Sequence, residues 1–264
     1  MKEMNFKLKL ADILVDVYPR YPTLKKFCKD YVTQEGKTRI HIEISDEDIA
    51  SEKEKITDGK EYSPQYLETL AALRQIADRM PDFHRFLCHG AVITWKDQGY
   101  MFTAPSGTGK STHIALWKKY LGSDVGIVNG DKPILSVEKD TDGKETIWAY
   151  GTPWAGKEGW QKNRKAQLNG ICFLKQAEEN RIRRVNPQEL LSRMICQIYF
   201  PDNPETAGKT MELMDRLLTD IPLYLLECDM SKEAVRCSFE MLTGKQMPKN
   251  VSDNTHYEEK EEKG

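Results

Sequence analysis

Between Ala104 and Thr112 the chain reads Ala-Pro-Ser-Gly-Thr-Gly-Lys-Ser-Thr, with two glycines, one lysine and four hydroxyls in a single short run. A polyphosphate needs many hydrogen-bond donors at short range and no side chains in the way. A Ser-Gly-Thr-Gly loop that ends at a helix N-terminus supplies those donors from its backbone and adds a favourable dipole. Lys110 brings a mobile positive charge for the β- and γ-phosphates, and the Ser111 hydroxyl is within reach of Mg²⁺. Ser106, Gly107, Thr108, Gly109, Lys110, Ser111 and Thr112 are therefore the expected nucleotide-binding set, with ATP and Mg²⁺ as ligands. The strict phosphate-loop pattern begins with glycine, where this chain has Ala104 followed by Pro105. A turn that merely joins a strand to a helix would account for Gly107 and Gly109 but not for the Lys110-Ser111 pair after them.

Two more residues could do chemistry beside that loop. Val125-Gly-Ile-Val128 reads as a strand leading into Asn129-Gly-Asp131. Parallel pairing of the strands before and after the loop's helix would bring their C-terminal ends to one edge, so that Asp131 faces Lys110 and Ser111. A carboxylate there can hold Mg²⁺, with Ser111 as the second metal residue, or take a proton from an attacking hydroxyl. His89 begins the hairpin that delivers the chain into the loop, and an imidazole is suited to proton exchange near neutral pH. Asp131, Lys110 and His89 are the candidate catalytic residues.

The elements that must position these groups read as α/β, a mixed sheet with flanking helices. Residues 4–18 alternate as one or two strands, 24–32 suit a short helix, and Ile40, Ile42 and Ile44 mark one face of a strand. The charged segment 46–60 suits a loop or a short exposed helix. Ser63 caps and Pro64 opens a helix that ends before Pro81. Residues 86–94 and 99–104 read as a β-hairpin, 112–121 as the helix after the loop, and 133–137 with 145–150 as a second hairpin joined through 140–143. Residues 151–165 form a long glycine-bearing loop with Trp154 and Trp160, a length that points to function or disorder, and the tryptophans argue against disorder. A buried strand (170–174), helices from Asn186 and Asn203, a strand (222–227) and a helix (231–242) complete the chain. The expected layout is one domain over 1–243, with a nucleotide-binding core at 86–243, an N-terminal extension at 1–85 and a disordered polar tail at 244–264.

Composition bounds the partners. The chain has 264 residues, 30% of them charged, and a net charge of −2, which gives no reason to expect nucleic-acid or membrane affinity. Between Lys157 and Arg184 eight Lys/Arg face three Glu, a local basic surface that could complement phosphates or an acidic partner. Six cysteines at irregular spacing, without a Cys-x-x-Cys pair, speak against zinc and a disulfide framework. No apolar run approaches the roughly 20 residues of a membrane span, and the charged N-terminus does not suit an export signal, so a cytoplasmic protein is expected.

His89-Gly-Ala-Val, a short hairpin, Ser-Gly-Thr-Gly-Lys-Ser, one helix and a strand ending in Asn-Gly-Asp-Lys together resemble the catalytic domain of HPr kinase/phosphorylase and its relatives in the phosphoenolpyruvate carboxykinase-like P-loop superfamily. The resemblance covers 86–243 in order of elements, and its sharp part is 89–132. It implies ATP-dependent phosphate transfer to a serine-type hydroxyl of a protein or peptide. Lys110 and the loop amides would hold the nucleotide phosphates, Ser111 would reach Mg²⁺, and His89 would lie at the active site. The family usually has two adjacent acids after the strand, whereas this chain has Gly130-Asp131. Either Asp131 serves as both base and metal ligand or the base comes from elsewhere. Two alternatives follow: a kinase for a small metabolite such as free serine, and a nucleotide-binding sensor without turnover. A homo-oligomer is compatible with either.

Overall fold

A computed structural model describes residues 4–139 and 141–248. Asp140, in the connection of the second hairpin, and 249–264, most of the expected polar tail, lie outside the described residues. Two sheets with helices make up a mixed α/β architecture.

The first sheet is N-terminal. Strands β1 (Phe6–Leu10) and β2 (Ile13–Tyr18) form a hairpin; β3 (Val32–Thr33) flanks β1, and β4 (Ile40–Glu43) runs parallel to β2, giving the order β3-β1-β2-β4. The helix expected over 24–32 is shorter than its apolar pattern suggests. It is α1 (Thr23–Phe27), followed by a 3-10 turn (Lys29–Tyr31), because Cys28 leaves helical geometry at φ −90°, ψ 10° and residues 32–33 are drawn into the sheet. The charged segment after β4 is a real helix, α2 (Asp46–Glu54), closed by a reciprocal Ser45–Asp48 capping box that satisfies two orphan donors. Ser63 caps α3 (Pro64–Ala77) by accepting from the Tyr66 amide, with Pro64 at the first helical position.

The second sheet carries β5 (Arg85–Leu87), β6 (Ala91–Trp95), β7 (Gln98–Thr103), β8 (Val125–Asn129), β9 (Ile134–Lys139), β10 (Glu145–Tyr150), β11 (Lys165–Gln176), β12 (Arg181–Val185) and β13 (Leu223–Cys228). Its main path is β5-β9-β10-β11-β7-β6-β8, with β13 beside the second half of β11 and β12 outside β13. The expected strand 86–94 splits into β5 and β6. The break falls at 88–90, where Gly90 lies against Met101 and the Phe102 carbonyl and leaves no room for a Cβ. Helix α4 (Lys110–Leu121) begins earlier than expected and takes Lys110 and Ser111 into its first turn. Strands β7 and β8 do not pair directly: β6 lies between them, antiparallel to both. The two strands still run in the same direction and still end at the same edge.

Alternation along the central strands sorts two cores. Met101, Ile171 and Phe173 face α5 (Pro187–Ile195) and α6 (Pro204–Asp220), whereas Tyr100, Phe102, Cys172 and Leu174 face α4 and α7 (Lys232–Thr243). A third core joins the N-terminal sheet and α3 to Leu87, Ile134 and Tyr150 of the second sheet and to Trp154 in the loop after β10. Among the described residues all six cysteines are free thiols, and no helix is long and apolar enough to cross a membrane.

Candidate active site at the phosphate loop

Strand β7 ends at Thr103, which is fully buried, and the chain turns through 104–109 into α4. Gly107 and Gly109 take φ values of +81° and +109°, a region that side chains disfavour, and nothing lies within 4 Å of where a Cβ would stand at either. The Thr108 amide and hydroxyl both bond the Pro105 carbonyl, at 3.3 and 2.8 Å. The result is an open, backbone-lined concavity at a helix N-terminus that no side chain caps. Ser106, Gly107 and Thr112 are exposed, Thr108, Gly109 and Ser111 half-buried, and Lys110 is buried. The Lys110 ammonium folds back onto the Ala104 carbonyl at 2.9 Å. Burial lowers its pKa, partly offset by the nearby Asp131 carboxylate and reinforced by Lys132.

Asp131 comes to the same edge from β8, held by a turn built around Asn129. The buried Asn129 side-chain oxygen accepts the Asp131 and Lys132 amides at 2.8 and 2.7 Å, while its nitrogen donates to the Thr152 carbonyl and hydroxyl. Thr152 in turn donates to the Lys132 carbonyl at 2.7 Å. Every polar atom of this buried Asn–Thr pair is engaged, which makes the turn rigid. Gly130 closes it: a Cβ there would stand 2.5 Å from the Ala155 carbonyl oxygen and 3.3 Å from the Trp160 Cβ. The second acid of the resembling family therefore has no space here while residues 155–160 stay in place.

His89 meets Asp131 directly. Its Nε2 lies 3.2 Å from Asp131 Oδ1, and Lys132 Nζ lies 3.6 Å from Oδ2. The backbone fixes the histidine through three contacts: its amide donates to the Gln197 carbonyl, its carbonyl accepts from the Thr103 hydroxyl, and the next amide, of Gly90, donates to the Asp131 carbonyl. Burial by itself would raise the Asp131 pKa, but the His89 hydrogen bond and the charges of Lys132, His89 and Lys110 outweigh it and hold the carboxyl below its ordinary value. An ionised carboxylate only accepts, so His89 Nε2 carries the proton in this contact. When the ring is neutral, Nδ1 holds its lone pair.

No protein-family model and no curated protein matches the chain. Among solved structures it is similar to the HPr(Ser) kinase/phosphatase from Coxiella burnetii, with a TM-score of 0.26 and 11% identity over 48% of this chain and 86% of that one. A likeness of that size leaves the function to be read from the site itself.

The expected residues Lys110, Asp131 and His89 thus lie together at one sheet edge, with Ser111 in the first turn of α4. Hard oxygen donors such as the Ser111 hydroxyl and the Asp131 carboxylate suit Mg²⁺, which usually keeps waters and phosphate oxygens as its other ligands. Among the described residues no group of three His, Cys, Asp or Glu could hold a metal without such help.

Sequence reading missed Asn129, Thr152 and Gln197, whose partners are distant in the chain. The tryptophan loop was marked, but its role differs from that of a free segment. Trp154 is buried and donates to the Thr69 carbonyl at 2.8 Å, the Lys132 amide bonds the Trp154 carbonyl, and Gly151 and Lys162 bond back to Arg164 and β8. Residues 151–155 of that loop are buried, and its exposed parts are 156–159 and 162–165. Three of the eight basic residues in 157–184 are in ion pairs, Lys165 on Glu138, Lys175 on Glu227 and Arg183 on Glu189.

Proposed function

We propose that this chain is an ATP- and Mg²⁺-dependent phosphotransferase that phosphorylates an alcohol hydroxyl, with the P-loop kinase arrangement that the sequence motif implies. The observation that carries the reading is the placement of Asp131. A rigid turn sets it in contact with His89 and in the field of Lys110, beside a loop whose open amides suit phosphates. Bound Mg²⁺ would neutralise phosphate charge, held on the protein side by Ser111 and Asp131. The loop amides and Lys110 bind and orient the phosphate chain, and the lysine exchanges the Ala104 carbonyl for phosphate oxygens. The nucleoside end has room in a cavity of about 310 Å³ that continues from Thr108, Gly109 and Thr112 to Leu116, Leu174 and Met230.

Chemically, phosphoryl transfer asks mainly for positioning and charge stabilisation. An acceptor O–H loses its proton as its oxygen bonds to the γ-phosphorus and the bond to the β-phosphate oxygen breaks. His89 Nδ1 is the site for that proton, because Asp131 takes the Nε2–H and so leaves the lone pair on the other nitrogen. Asp131 then orients the base and balances the imidazolium that forms.

Asp131→Asn tests the reading, because it keeps the shape and removes the charge. Turnover should fall by roughly 10²–10⁴-fold, the loss typical of a disabled general base. ATP affinity, measured calorimetrically, should change far less. Full turnover in this variant sinks the proposed role of Asp131. A wild-type protein that binds Mg-ATP without any turnover, and loses Mg²⁺-dependent affinity in the variant, is instead the nucleotide sensor.

A further inference from the structure

Beside His89, and lined by no residue of the phosphate loop, lies a cavity of about 440 Å³, within the range of roughly 300–1,000 Å³ usual for small-molecule sites. Five parts of the chain meet around it: α2 with the residues after it, the second half of α3, residues 87–89, Lys132, and residues 196–199. His89 and Lys132, both in or beside the candidate catalytic cluster, form part of its wall.

Three features of that wall describe an occupant. The first is charge. Lys55, Arg74 and Lys132 line the cavity against one carboxylate, Glu52. Glu52 is buried and fully engaged by Arg74, through two contacts, and by Lys55 at 3.2 Å. With Asp131 paired to Lys132 as well, the three cations still outnumber the two carboxylates, and the cationic side chains remain partly accessible. The second is Gln197. It is only 6% exposed, lines the cavity, and its side-chain oxygen has no partner among the described residues. Buried amides are nearly always bonded, so an idle one marks a group kept for something else. Its backbone carbonyl holds the His89 amide at 2.7 Å, which ties the idle amide to the catalytic ring. The third is the apolar remainder of the wall, from Leu70, Leu73 and Ile198.

We propose that this cavity is the acceptor site and that the acceptor is a small anionic hydroxy compound. Its carboxylate or phosphate faces Lys55 and Arg74, a second polar group bonds the Gln197 amide, and its hydroxyl is presented to His89. The inference rests on the phosphotransferase reading above. It departs from a seryl side chain of a polypeptide, because the clustered cations and the idle Gln197 oxygen suit a small anion that fills the cavity.

The test uses the full chain with Mg-ATP and measures ADP release and melting temperature. The probes are D-glycerate, L-serine and glycerol 3-phosphate, with uncharged glycerol and a seryl hexapeptide as comparisons. At least one anionic probe should accelerate ADP release and raise the melting temperature without ATP, whereas glycerol and the peptide should do neither. Gln197→Leu keeps the backbone bond to His89. It should raise KM for that probe about tenfold or more, with KM for ATP unchanged. Because it removes a stranded amide, it should also raise the melting temperature of the ligand-free protein by about 2–4 °C. Lys55→Ala, on a partly exposed side chain, should raise the same KM and decides the matter if the leucine variant does not fold. Stimulation by the peptide alone, unchanged KM in both variants, or no response to any probe overturns the proposal. Mg-ATP binding with no response to any probe removes the acceptor site and leaves the nucleotide reading standing. A probe that stabilises wild type but not Gln197→Leu, in a protein that does not bind ATP, keeps the cavity and removes the kinase.

Discussion

Glycines on the two sides of the candidate centre are there for opposite reasons. Gly107 and Gly109 are required by conformation: their φ values are strongly positive, and the space around them is empty. Gly130 is required by space: its φ lies outside the left-handed region, but the Ala155 carbonyl stands where a Cβ would go. The phosphate loop is thus a backbone shape left open for a ligand to complete. The turn before Asp131 is a shape already completed by its neighbours. A site assembled in this way pre-organises its acid and base and leaves the nucleotide to supply the missing contacts.

The sharpest way to break this contrast is Gly130→Ala. Either the methyl group pushes residues 155–160 away or the turn tilts, and overpacking of this kind costs about 1–3 kcal/mol. Turnover should fall on the order of a hundredfold, because small misplacement of reacting groups is that costly. Denaturant unfolding and kinase assays read the two effects, and an active, fully stable variant would show that the turn is not tight. Next in size is Lys110→Ala, which removes a charged partner of the phosphates worth about 1.5–3 kcal/mol. ATP should bind roughly 10–100-fold more weakly and adenosine almost as before. Equal losses for both would mean that the lysine supports the loop through Ala104 instead.

Gly107→Ala should be milder, since only backbone strain of about 1–2 kcal/mol opposes it and no neighbour is struck. ATP affinity should drop about five- to tenfold, and the melting temperature by no more than about 2–8 °C. A large loss of stability would contradict the open surroundings of this glycine. The smallest effect is in acid. Asp131 titrates below its ordinary 3.8 in the folded chain, so its contribution to stability is present above that range and is lost as pH falls through the lowered folded value. Asp131→Asn has no such charge to lose, and its stability should fall less steeply in that window when urea midpoints are compared across pH.

Most of the local frame was legible in the sequence. Ser63 does cap its helix, the helices expected from Asn203 and Ser231 do start there with those residues as caps, and Lys110 follows its strand and loop as the motif requires, because these signals are set by neighbours a few residues away. The arrival of Asp131 at the edge of the phosphate loop followed from the direction of β7 and β8, even though β6 intervenes, whereas its contact with His89 was not foreseen. Long-range partnerships were not legible. Nothing near Gln197 distinguishes it from a helix-end amide, and Glu52 and Arg74 read as surface charges until α2 and α3 bring them together beside β5. The strand β12 was hidden inside a basic run, since Arg181, Arg183 and Arg184 owe their extended form to pairing with β13.

The indole of Trp154 ends on the carbonyl of Thr69, and the hydroxyl of Tyr150 reaches Asp12, so both supports of the segment that walls in Gly130 are rooted in the N-terminal sheet and its helix. Recombination that moved only the phosphate loop, its helix and the strand bearing Asp131 into a new host would leave those roots behind. The chemistry of this chain can be inherited whole but not shuffled as a cassette.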